Sequence, residues 1–243
     1  MLLRLVKFLK DLLLASRLML LLKPINHLFG FIYHFTKLTY WVQTNSKKFI
    51  KSDFYTPYRD YSKRPFLYKD VMDHYNLASN PVHYFEFGVA SGVSFKWWLE
   101  NNRHADSQFF GFDTFEGLPE NWGGFYQKGA MSHGIPDISD DRAKFYKGLF
   151  QETLVPFIED HQAFLKLPIR KVIHLDADLF TATLFTLSQM YPFLKKGDIL
   201  IYDEFSVANH EFKAMDLFQE VFYVKCKPVF AQNNFYQVAF EIQ

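Results

Sequence analysis

Two short apolar runs in this chain of 243 residues end in paired acidic positions. Val172 to Leu175 delivers Asp176 and Asp178, and Ile199 to Tyr202 delivers Asp203 and Glu204. Carboxylates so placed can hold a hard divalent cation through oxygen, or grip hydroxyls. The 14 residues between them, 181–194, carry apolar side chains at three- and four-residue steps. Lys195-Lys196-Gly197 then supplies the cations and glycine that end helices. This is a strand, helix and strand with acids at the C-terminal ends of both strands. In an open parallel sheet those ends are where ligands bind.

A second cluster lies upstream. The apolar run 83–87 passes straight into Glu86-Phe-Gly-Val-Ala-Ser-Gly-Val-Ser94, and a helix pattern resumes at residue 95. Gly88 and Gly92 permit close backbone approach, and a helix N-terminus offers free N–H groups to an anion. The spacing is not Gly-x-Gly-x-x-Gly, and an acid at the strand end repels a diphosphate, so a dinucleotide is poorly matched. The site suits a ligand with an ammonium group, hydroxyls and a carboxylate, and S-adenosylmethionine has all three. Residues 109–112 form the next strand and end at Asp113, one unit beyond. That position suits an acid that binds ribose hydroxyls; its structural alternative is a turn or helix cap.

The elements that must position these residues follow a regular alternation. A helix over 66–75 precedes the first strand, and strands at 83–87, 109–112, 142–147, 172–175 and 199–202 are interleaved with helical stretches. A short helix at 151–157 is expected to break near Pro156. A helix at 209–222 leads to a hairpin, 225–231 and 235–242, around Asn233-Asn234, a favourable tight-turn pair. The reading is a doubly wound, Rossmann-like α/β fold with a mostly parallel seven-stranded sheet and an antiparallel C-terminal hairpin. Residues 116–141 form one long loop rich in glycine and proline, the length of a lid or binding element. Its Trp122, Phe125, Tyr126 and His133 either line an acceptor pocket or seal the loop to the body.

Composition narrows the classes. The single cysteine, Cys226, excludes an internal disulfide framework and a cysteine-based zinc site, and fits a reducing, cytoplasmic setting. A formal net charge of +1 hides a division: residues 1–64 hold 12 Lys and Arg against 3 Asp and Glu. The remainder is correspondingly acidic. Residues 1–23 read as a basic amphipathic helix with no uncharged run of membrane-spanning length. It either lies on an anionic membrane, at its inner face, or packs on the domain or a second subunit in a homo-oligomer. Residues 24–41 read as a second short helix, and 43–64 as a polar, basic linker. The basic residues from Lys47 to Arg64 fit a solvated linker better than a nucleic-acid surface. The expected division is a helical extension over 1–64 and a catalytic domain over 65–243.

Four segments carry a closer resemblance: Phe112-Asp-Thr-Phe-Glu-Gly-Leu-Pro-Glu-Asn-Trp122, Gly148-Leu-Phe-Gln-Glu-Thr-Leu154, His174-Leu-Asp-Ala-Asp-Leu-Phe180 and Tyr202-Asp-Glu-Phe205. With the terminal hairpin they resemble class I S-adenosylmethionine-dependent methyltransferases, and within them the macrocin/mycinamicin-type sugar O-methyltransferase family, over about residues 64–242. The resemblance implies Mg²⁺-assisted methyl transfer to a hydroxyl of a sugar or glycan-like acceptor, in polysaccharide or secondary-metabolite biosynthesis. It implies Asp176, Asp203 and Glu204 as Mg²⁺ ligands, although the family often has Asp-Asp where this chain has Asp203-Glu204. It also implies Glu86, Gly88, Gly92, Ser94 and Asp113 as cofactor-binding residues, with Gly148 and Phe150 near the adenine. Catechol-type relatives carry a lysine where this chain has Leu179, so the candidate bases are Asp178 and then His133. The alternative for Asp178 is a cap on the helix that begins at Phe180. His174 reads as a buried strand histidine and His210 as a surface residue. An Asp-x-Asp glycosyltransferase using Asp176-Ala-Asp178 is the competing enzyme reading, but it leaves Glu86 and Asp113 without a role. A catalytically silent membrane-associated scaffold is the non-enzyme reading. A lipid-linked acceptor would give the basic N-terminus a purpose.

Overall fold

The computed structural model describes residues 1–122, 124 and 126–243. Eight strands form one sheet: β1 (Lys51–Ser52), β2 (Val82–Phe87), β3 (Gln108–Asp113), β4 (Ala143–Lys147), β5 (Arg170–Leu175), β6 (Ile199–Tyr202), β7 (Cys226–Gln232) and β8 (Gln237–Ile242). Their order is β1-β7-β8-β6-β5-β2-β3-β4. Only β8 runs against its neighbours. The chain winds outward through β2, β3 and β4, then returns to place β5 on the other side of β2. The topological switch point therefore lies between β2 and β5.

Every residue of β2 is buried, as expected for a strand covered on both faces. Side chains alternate between two cores. Phe85 and Phe87 face one core, with Phe110, Ile173, Leu175 and Leu200. On that side lie α5 (Phe150–Asp160), α7 (Phe180–Met190) and α8 (Glu211–Phe222). Tyr84 faces the other core, with Phe109, Val172 and Ile201, beneath α3 (Arg64–His74) and α4 (Val93–Asn101). Aromatic rings hold the register: Phe87 stacks on Phe112 at 5.0 Å and Phe112 on Tyr146 at 4.9 Å, across β2, β3 and β4.

Three expectations change. The sheet has eight strands rather than seven, because Lys51–Ser52, inside the stretch read as a linker, pairs in parallel with β7. A two-residue strand has no hydrophobic period to betray it. The helix expected to break near Pro156 runs on to Asp160, because Leu154 and Phe157 are buried in the core on either side of the proline. One forfeited backbone bond is outweighed by that burial. The second N-terminal helix is longer than expected, α2 spanning Asn26–Asn45. A 3₁₀ stretch, Leu18–Ile25, joins it to α1 (Leu2–Ser16).

The C-terminal half of α2 is part of the body. Leu38 is buried, and Trp41 sits among Phe205, Phe235 and Phe240 at centroid distances of 4.8, 6.1 and 5.8 Å. Lys37 pairs with Asp216 of α8. By contrast, no residue of α1 is buried. Trp41→Ala should therefore cost about 2–3 kcal/mol of unfolding free energy, somewhat less than a fully buried tryptophan. Leu12→Ala on α1 should change it by less than about 0.5 kcal/mol. Urea denaturation of the two variants checks the contrast; equal losses would contradict it.

Candidate active site

The strands end on a shared rim because their ladders extend one residue past each strand. Asp176 N–H donates to the Phe87 carbonyl (2.9 Å), Asp203 N–H to Leu175 (3.0 Å) and Gly88 N–H to Phe112 (2.9 Å). At Gly88 (φ +92°) an added Cβ would stand 1.8 Å from the Asp176 carbonyl oxygen. A side chain there would drive the ends of β2 and β5 apart, so Gly88 is needed for rim closure. The Cβ of any replacement for Gly92 (φ +78°) would meet Pro136 at 2.7 Å, so this glycine lies under the long loop rather than on the cavity.

A cavity of about 380 Å³ opens over this rim. Gly88, Ala90, Asp113, Leu149 and Phe150 line it together with Asp176, Asp178 and Glu204. His133 and Trp122, Tyr126 and Met131 from the long loop also line it. Phe125, expected to join them, lies outside the described residues, as does Gly123. Arg64, Tyr61 and Tyr236 line it too. Sequence reading missed these three. Arg64 was visible only as one of several basic residues before a proline, and Tyr236 sits beyond a hairpin turn, where no motif marks it.

The acids do not group as expected. Oxygens of Asp176, Asp178 and Glu204 lie within 4.8 Å of one another, an arrangement able to hold a cation. Asp203, expected as a ligand, is fully buried and paired with the Arg64 guanidinium. Arg64 also stands 3.9 Å from Asp176 and 3.5 Å from Glu204. Glu204 Oε2 is buried with no hydrogen-bond partner among the described residues. Its backbone N–H donates to Glu211 Oε2 at 2.9 Å. Burial, and then the charge of Asp176, raises the Asp203 carboxyl to about 7. The same two causes raise Asp178 to about 8 and hold Glu204 well above the usual carboxylate range.

Asp178 is not the helix cap that its position allows. Leu179 occupies the N-cap of α7 and no side chain caps there. Asp178 instead has a left-handed backbone (φ 58°) and lines the cavity. The N-terminal N–H of Phe180 is satisfied by His210 Nδ1 at 3.3 Å. His210 is thus half-buried rather than a surface residue, and burial lowers its pKa.

The residues expected to bind a cofactor divide into two sets. Gly88, Asp113 and Phe150 line the cavity; Glu86, Gly92, Ser94 and Gly148 do not. Glu86 is fully buried and accepts from Ser94 Oγ (2.6 Å) and from the Tyr84 hydroxyl. Because that hydroxyl spends its proton on Glu86, His174 Nδ1–H must donate to the Tyr84 oxygen, 2.8 Å away. His174 is fully buried in this network. Asp113 accepts from the N–H groups of Val89 (2.7 Å), Ala90 (2.8 Å) and Phe115 (2.7 Å). It fastens the glycine turn to the end of β3, which is the turn-anchoring alternative to ribose binding.

Residues 132–231 match the family model described as macrocin-O-methyltransferase (TylF). No curated protein matches the chain. Among solved structures, CalS11, a calicheamicin methyltransferase, is 18% identical with a TM-score of 0.56, covering 73% of this chain and 76% of its own. An apo structure of CalS11, there called a TDP-rhamnose 3'-O-methyltransferase, is 16% identical with a TM-score of 0.53, covering 75% and 80%. Identities this low speak to the fold, which is the Rossmann-like one described above.

Removing the guanidinium strands a buried carboxylate. Arg64→Ala should cost about 2–3 kcal/mol, below the full cost of breaking a buried pair because Arg64 is partly solvated. Asp203→Asn in the same chain should recover much of it. A double-mutant cycle on denaturation free energies reads the coupling, and strict additivity would exclude the pair as a structural element.

Proposed function

We propose that this chain, a TylF-like S-adenosylmethionine-dependent methyltransferase, methylates a hydroxyl of a sugar or glycan-like acceptor with the help of Mg²⁺. The observation that carries this reading is the single cavity that joins the Gly88–Asp113 turn to the acids Asp176, Asp178 and Glu204. A sugar acceptor is supported by the TylF match and by the similarity to CalS11, a TDP-rhamnose 3'-O-methyltransferase.

The residues present fit both groups. A carboxylate set with oxygens within 4.8 Å and an unpartnered buried Glu204 Oε2 suits a hard cation, after a modest contraction. Asp176, Asp178 and Glu204 would hold it, while Arg64 neutralises Asp203. Asp178 thus replaces Asp203 in the ligand set, and His133 becomes the candidate base. Bound Mg²⁺ supplies charge that lowers the pKa of a coordinated hydroxyl, and S-adenosylmethionine supplies an already activated methyl group. The chain's own residues do the rest. Phe150, Leu149 and Ala90 offer apolar surface to the cavity that Asp113 also lines. Trp122, Tyr126 and Met131 of the long loop, which line the cavity, would close over the acceptor and limit its contact with water. His133, on the cavity wall, would take the proton of the hydroxyl. Alignment of donor and nucleophile is the main task, since the methyl group needs no further activation.

Mass spectrometry of reactions with S-adenosylmethionine, Mg²⁺ and a panel of nucleotide sugars and glycans should reveal a methylated product. Calorimetry showing binding of a nucleotide sugar without S-adenosylmethionine binding would overturn the reading. Asp176→Ala should lower turnover by on the order of 100-fold, the equivalent of several kcal/mol of charge stabilisation. The proton on Asp178 makes a further prediction. A carboxyl raised to about 8 binds its proton more tightly in the folded state, so metal-free stability falls as pH rises toward 8. Mg²⁺ must displace that proton. Its stabilisation, measured as a thermal shift, should therefore be larger at about pH 8.5 than at about pH 6, and the reverse order would remove Asp178 from the ligand set.

A further inference from the structure

We infer that α1 and the 3₁₀ stretch after it form a surface that lies on an anionic phospholipid bilayer, held to the catalytic body by the C-terminal half of α2. The first observation is exposure. No side chain of α1 or of Leu18–Ile25 is buried, although both are rich in leucine. On α1 the residues Leu5, Phe8, Leu9, Leu12 and Leu13 share one face, and each is at least 45% exposed. The same character continues into the first half of α2, where Phe29, Phe31, Ile32 and Phe35 are exposed. Contiguous apolar surface of this extent marks an interaction site.

The second observation is charge. Arg4, Lys7, Lys10, Arg17 and Lys23 stand against Asp11 alone over the first 25 residues. Lys7, Lys10 and Arg4 fall on the polar side of α1, opposite the leucine face. The protein's acidic body is not their partner. Among the described residues, the extension's ion pairs to the body come only from Lys37, Lys51 and Arg64. A leucine face backed by a basic polar face matches anionic lipid, whose acyl region takes the leucines while its headgroups attract the lysines and arginines. The surface lies on the bilayer, because among the described residues no helix is long and apolar enough to cross one.

The third observation is coupling to the body. Trp41 and Lys37 fix α2 against Phe205 and Asp216. Phe205 follows Glu204 directly, so the element that would meet the membrane is braced beside the acid rim. The catalytic cavity would then work close to the bilayer.

Flotation of the full-length chain with phosphatidylcholine vesicles, with and without phosphatidylglycerol, tests the inference. The chain should float only with the anionic vesicles and should be released by high salt. Phe8→Asp/Leu12→Asp should lower the partition coefficient by on the order of tenfold or more, as should Lys7→Glu/Lys10→Glu. Both variants should keep the thermal transition of the parent, since the substituted side chains are exposed. Failure of the parent chain to float with anionic vesicles would overturn the inference. So would unchanged flotation of both variants. A salt-resistant dimer that Phe8→Asp/Leu12→Asp converts to monomer, without vesicle binding by the parent, would assign the face to a second copy instead.

Discussion

Negative charge buried at the C-terminal rim of the sheet is the constraint on which much of this structure depends. Glu86, Asp203, Glu204 and Glu211 are buried, and Asp176 and Asp178 stand beside them. Carboxylates cannot be left uncompensated in such surroundings. Three of them are answered by different devices. Glu86 is bound by Ser94 and Tyr84, Asp203 by Arg64, and Glu211 by the backbone N–H of Glu204. The remaining group, Asp176, Asp178 and Glu204, faces the cavity and keeps the capacity for a cation. Compensation thus separates acids that serve the scaffold from acids left for chemistry.

Arg64 can serve this arrangement only because the segment before it is held in place. That segment wraps the turn between β7 and β8. The N–H groups of Asn233 and Asn234 donate to Asp53 at 3.0 and 3.2 Å, and the Asn233 and Asn234 side chains accept from Asp60 and Thr56 at 2.9 and 2.7 Å. Both asparagines and Phe235 adopt positive φ, a conformation that Asn tolerates better than most residues. Arg59 stacks over Tyr236 at 4.2 Å, and Tyr236 in turn lines the cavity. The turn, the strap and the guanidinium are one unit. A stretch with the composition of a linker therefore forms part of the site wall.

The legibility of the molecule follows the range of its interactions. Apolar runs ended by acids or glycine marked β2, β3, β5 and β6, because a strand buried on both faces must be continuously apolar. The alternation of these runs with helical periods implied parallel winding, and hence a shared rim. Gly88 and Asp113 were marked by their place at strand ends, and both line the cavity. Their roles were less visible. Asp113 anchors a turn through three backbone N–H groups, and Gly88 makes room for the Asp176 carbonyl. His210 was read as a surface residue, because nothing in its neighbours reveals that it faces Phe180, 30 positions earlier.

The sequence by itself determined the fold class, the strands that carry the acids, and the basic, leucine-rich character of the first 25 residues. Those features follow from local periodicity and composition, which act over a few residues at a time. Tertiary structure decided which carboxylates meet. Asp203 and Glu204 are adjacent in the chain and both meet Arg64, yet it is Glu204 that groups with Asp176 and Asp178. It also decided that Lys51–Ser52 joins the sheet and that no residue of α1 is buried. Pairings between residues 140 positions apart, such as Arg64 with Glu204, depend on the path of the whole chain, and no local pattern encodes them.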